Sequence, residues 1–101
     1  MQKTVNNMRT DLQGSTIKLY DTVTMNTVHE HDYQRFCNYF KTGNISTIDL
    51  SEVTEADSVC VALLVAAKRL AHQHQFDLNI TSVPAGLITL MTLYGVEEYL
   101  Q

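Results

Sequence analysis

The chain has 101 residues, 45% of them hydrophobic and 18% charged, with one proline and four glycines, the makeup of a compact domain rather than a disordered or fibrous chain. A formal net charge of −4 and a pI near 5.4 supply no basic field for phosphate backbones or an anionic bilayer, which argues against nucleic-acid binding and for a protein partner or small ligand. Cys37 and Cys60 form no CxxC pair and suit reduced thiols in the cytoplasm, while the longest apolar run, Val59 to Ala67, falls far short of the ~20 residues of a membrane span. The N-terminal residues hold no apolar signal core. Without repeats, low-complexity tracts or a proline-rich linker, residues 1–101 are expected to form one domain, with 1–14 as a loosely ordered leader.

In chain order, Thr16-Ile17-Lys18-Leu19-Tyr20 alternates and runs into the β-prone Thr22-Val23-Thr24, which predicts a first strand pair with Asp21 near the bend. His29, Tyr33, Phe36, Cys37 and Phe40 then recur at helical spacing, with Thr27 as the expected cap and Gly43-Asn44 as the stop. Ile45 to Leu50 reads as a short, β-branched strand in the interior of the sheet. The next helix is predicted from Ser58 to about Gln73, with Val61, Leu64 and Val65 on one face. Lys68, Arg69, His72 and His74 gather near its end, where cations suit the helix dipole. Asp77 to Val83 gives a further strand. Pro84 opens a last helix whose stripe is Leu87, Leu90, Met91 and Tyr94 and whose stop is Gly95. Strands alternating with helices over short connections predict an α/β fold, a mixed β-sheet covered by α-helices.

No glycine-rich phosphate loop follows any strand, which removes the usual argument for a nucleotide site. The His29-x-His31 and His72-x-His74 pairs have the look of metal ligands, but residues two apart on a helix point to nearly opposite sides, so neither metal nor cofactor is expected. The aromatic and Leu/Met stripes read as core, because a domain this small must cover its sheet. Catalysis has little support, since Ser58 has no assigned base and a nucleophile without one is weak. A Cys-His pair involving Cys37 or Cys60, and with it a hydrolase, stays open at this level. In Thr54-Glu55-Ala56-Asp57-Ser58-Val59-Cys60 a carboxylate and a hydroxyl meet an apolar run, a pattern that serves a helix N-cap and also a docking or signalling site.

The segment Ile48-Asp49-Leu50-Ser51-Glu52-Val53, then Ala56-Asp57-Ser58, an apolar helix and Leu78-Asn79-Ile80 resembles a STAS domain, and with the closing LITLMTLYGVEEYL it is similar to MlaB-type STAS proteins. The resemblance runs from about Ile45 onward. It implies a STAS-like fold and a non-enzymatic cytoplasmic subunit that binds and regulates the ATPase of a phospholipid ABC transporter maintaining outer-membrane lipid asymmetry. Such a subunit reaches the membrane permease indirectly, sits peripherally at the inner membrane and inserts nothing into it. The site residues carried over are Asp57 and Ser58, with Thr54 and Val59 beside them. The same resemblance implies an alternative, an anti-sigma-factor antagonist whose partner is an anti-sigma factor kinase and whose phospho-acceptor is Ser58. Where such proteins often have glycine after the hydroxyl residue, this chain has Val59-Cys60, side chains whose bulk a packed protein interface accommodates.

Overall fold

The computed structural model describes residues 7–100. Its elements are β1 (Arg9–Gln13), β2 (Thr16–Val23), α1 (Glu30–Thr42), β3 (Thr47–Ala56), α2 (Ser58–Gln73), β4 (Asn79–Thr81), α3 (Ala85–Leu93) and α4 (Glu97–Leu100). They build one small α/β domain around a four-stranded mixed sheet in the order β1-β2-β3-β4. β1 pairs antiparallel with β2, and β2, β3 and β4 run parallel.

The β2-α1-β3 and β3-α2-β4 crossovers step across the sheet in the same direction, and crossovers of the usual right-handed sense lay both helices on one face, where α1 and α2 pack together. Beneath them Ile17, Leu19, Val23, Ile48, Leu50 and Val53 are buried with Phe36, Phe40, Leu63 and Leu64 from the helices. The opposite face is polar: Lys18 stands 4.0 Å from Asp49, and the Arg9 guanidinium lies 4.3 Å from the centre of the Tyr20 ring.

The expected leader is corrected over Arg9–Gln13, which is strand β1, and Met8 just before it is buried in the core; residues 1–6 lie outside the described residues. A two-residue Gly14-Ser15 turn makes β1 and β2 a hairpin, with Gly14 at φ 62, the left-handed position such turns require. Asp21 is no bend between strands. It lies within the continuous strand β2 at φ 59, where the pairing with β3 slips. β3 advances an extra residue twice against β2, so its inward side chains skip from Leu50 to Val53. Each slip is served by a side chain: Asp49 accepts from the Ser51 N–H at 2.8 Å, and the Thr54 hydroxyl donates to the Asp21 carbonyl at 3.2 Å.

The interior strand is longer than expected, and β4 is shorter. Thr27 does not cap α1. The cap is His29, whose N–H donates to the buried Asp32 at 3.0 Å, while Thr27 is tied into the preceding turn by bonds to Thr22 and Thr24. Tyr33 and Tyr94 leave their predicted core stripes and are exposed. Pro84 is the N-cap of α3 rather than a first-turn residue. Both α2 and α3 end in paired reversals. Phe76 and Gln75 donate back to Ala71 and His72, and Val96 and Gly95 donate back to Met91 and Thr92. Gly95 suits its φ of 71; Gln75 adopts φ 61 without that freedom.

Candidate functional site

The parallel strands β2, β3 and β4 all end at one edge of the domain, where open α/β sheets present their loops. Asp57 is the only residue between β3 and α2. As the N-cap of α2 it accepts the Val59 N–H on one carboxylate oxygen at 2.9 Å and the Met25 N–H on the other at 3.0 Å. Its own N–H reaches the Val23 carbonyl at 3.4 Å. One side chain thus closes the first turn of α2 and fastens the loop that follows β2.

Ser58, the first residue of α2, is exposed, and among the described residues its hydroxyl has no hydrogen-bond partner. The cap is Asp57, so the neighbouring hydroxyl is left to solvent. Val59 is half-buried and contributes its N–H to the cap. Thr54 is exposed on β3, with its hydroxyl taken by the β2 backbone. The structure therefore joins Asp57, Ser58 and Val59 in one helix start and engages Thr54 in strand pairing.

Met25 was not singled out from the sequence. It is 70% exposed and fixed beside the cap by its N–H. The available signal was a bulky apolar residue in a polar turn just after a strand. α3 packs on α2 through the buried Leu87 and Met91, yet it is apolar nearly all round, and Ile88 and Leu93 remain exposed.

The thiols offer no activated nucleophile at this edge. Burial, with the Asp57 charge as the smaller cause, pushes the Cys60 thiol up to about 12. Cys37 lies on α1, where its contact with the Tyr33 side chain raises that phenol above its ordinary value of 10.0. The histidine argument needs correction at both pairs: His29 is the N-cap outside α1, its ring stacked 6.4 Å from that of His31 rather than pointing away, and His74 is the C-cap outside α2. Among the described residues no three His, Cys, Asp or Glu side chains are grouped closely enough to hold a metal ion, and no helix is long and apolar enough to cross a membrane.

Comparison with known proteins bears on the fold and the family. A family model described as "Mlab, STAS domain" matches residues 8–101. Among solved structures, the chain is similar to the anti-sigma factor antagonist SpoIIAA in its unphosphorylated form, with a TM-score of 0.54 and 12% identity over 88% of this chain and 82% of that one. At that identity the likeness is one of fold. No curated protein sequence matches.

Proposed function

The chain belongs to the MlaB-type STAS domain family, and from that premise we propose that it is a non-enzymatic subunit that binds and regulates the ATPase of a phospholipid ABC transporter. STAS domains act through protein contacts, and the observation that carries this reading is the match to the MlaB-type family over 8–101. The edge described above suits it. Ser58 is exposed on a start held rigid by Asp57, with Met25 beside it, and α3, which packs on α2, carries the uncovered Ile88 and Leu93. A fixed polar centre with an exposed apolar side chain beside it is the composition of a protein interface.

Regulation on this reading is a population shift. By binding one conformation or assembly state of the ATPase more tightly than another, the domain favours that state, and no cofactor of its own is needed. The domain works from the cytoplasmic side and meets the membrane only through the ATPase and its permease.

The exposed Ser58 hydroxyl, without a hydrogen-bond partner among the described residues, favours a second reading, a phosphorylation-switched anti-sigma-factor antagonist. A phosphate there adds about −1.5 to −2 charge beside Asp57 and changes which partner the edge accepts. Co-purification of the tagged chain from its native host separates the two. An ABC ATPase in the eluate supports the transporter reading, and a serine kinase with no ATPase overturns it. On the transporter reading, Ser58→Asp stays folded, because Asp57 remains the cap, and loses at least about tenfold in ATPase affinity, because an interfacial carboxylate is desolvated with no arranged partner. Wild-type affinity in both Ser58→Ala and Ser58→Asp removes Ser58 from the interface.

A further inference from the structure

Away from that edge, α1 and α2 leave between them an open groove of about 530 Å3. Its walls carry Lys41 from α1 and Arg69 from α2, and its volume lies within the range of small-molecule sites. The other Lys and Arg side chains among the described residues make this pair distinctive. Arg9, Lys18 and Arg35 face the carboxylates of Asp21, Asp49 and Asp32, and Lys68 donates to the Leu78 carbonyl. Lys41 and Arg69 have no carboxylate within ion-pair distance among the described residues, and they stand on opposite walls of one groove. In a chain of net charge −4 this is a local reversal of sign, and low-dielectric walls focus such a field on a small anion.

The remaining lining is built for the same chemistry. Asn38 and Gln73 bring carboxamide N–H donors, as does Gln34, whose amide also donates to the Glu30 carboxylate at 3.5 Å. Tyr33 also lines the groove, its side chain in contact with Cys37. Among the described residues no aspartate or glutamate lines the groove. We propose that this groove binds a small organic oxyanion, a carboxylate or a phosphate monoester, held between Lys41 and Arg69. The guanidinium supplies a planar two-donor fork and the ammonium a point charge, while the carboxamides fix orientation. The site is separate from the Ser58 edge and stands whether or not that edge binds an ATPase.

The test is amide NMR of the full chain titrated with succinate, glycerol 3-phosphate and inorganic phosphate, each against sodium chloride at matched ionic strength. The expected result is saturable shifts in Tyr33–Lys41 and Ala66–Gln73 with at least one organic probe. In Lys41→Gln/Arg69→Gln the affinity falls at least about tenfold, as loss of charge-assisted bonds requires. Both side chains are at the surface, so an unchanged melting temperature certifies that the variant is folded. Shifts matched by chloride, shifts untouched by the double substitution, or no saturable response to any organic probe overturn the proposal. Saturation by inorganic phosphate alone reduces the groove to a general anion patch and also overturns it. A parallel sedimentation arm with phosphatidylglycerol vesicles distinguishes the source: binding to vesicles but to no soluble probe overturns the small-ligand site in favour of a lipid headgroup.

Discussion

The two long helices begin alike and end up with different duties. Each start uses an aspartate to accept a backbone N–H, Asp32 for α1 and Asp57 for α2. Asp32 is wholly buried, inside the first turn, and its second oxygen takes the Arg35 guanidinium at 3.0 Å. Asp57 stands before the first turn at the surface and uses its second oxygen to hold a neighbouring loop. The contrast shows that the same residue type serves either its own helix or a neighbouring loop, according to whether its second oxygen meets a side chain of that helix or the backbone of another segment. Asp49, which accepts the Ser51 N–H on the open face of the sheet, extends the series to a third setting.

The comparison breaks first at Asp32. Asp32→Ala strands the His29 N–H and the Arg35 charge, and an expected loss of about 2–4 kcal/mol is read from urea unfolding. Asp32→Asn, which keeps an acceptor, retains part of that loss. Asp57→Ala removes the cap and the Met25 anchor and costs about 1–2 kcal/mol in the same assay. Its amide exchange speeds up at Met25 as well as Val59; a change at Val59 alone would disprove the stapling of the loop.

Asp49 sharpens the series through pH. The Ser51 N–H is the main cause holding its carboxyl below the ordinary 3.8, with Lys18 adding to it. A depressed carboxylate contributes stability that is present above 3.8 and lost as the pH falls through its lower folded value. The gap in urea midpoint between wild type and Asp49→Asn is therefore present at neutral pH and closes as the pH falls through the depressed folded value. The smallest stability effect belongs to Ser58→Ala, within about 0.5 kcal/mol, because among the described residues its hydroxyl holds nothing.

The helix start at Ser58 was readable from the chain because its signals are local: an Asp-Ser pair, then an apolar run in which Cys60, Val61, Leu63, Leu64 and Ala67 are all buried. Gly95 was readable for the same reason. β1 was not, since Arg-Thr-Asp-Leu-Gln lacks a β-branched alternation and holds its place as an edge strand by hydrogen bonds to β2. Its one signal, Gly14-Ser15 ahead of an alternating run, was present and went unused. The slips in β3 depend on pairing with a strand more than twenty residues away, information that no local window contains. Cap assignment at α1 failed because His29 closes its turn through a buried aspartate three residues on, whereas Thr27 offered the more ordinary side chain. At the site, Asp57 and Ser58 were legible as residue types, but the division of labour between them and the anchoring of Met25 required the fold.

The two cysteines give the chain a pair of chemical clocks. Cys60 is sealed in the core with its thiol held protonated, so an alkylating reagent reaches it only when α2 lifts away from the sheet. Cys37, half-exposed on the groove wall, is modified from the native state. Mass spectrometry of a timed alkylation thus resolves two rates in one sample, a slow one that follows opening of the core and a fast one that follows access between the helices. A molecule settling in the groove slows the second while leaving the first to the stability of the fold.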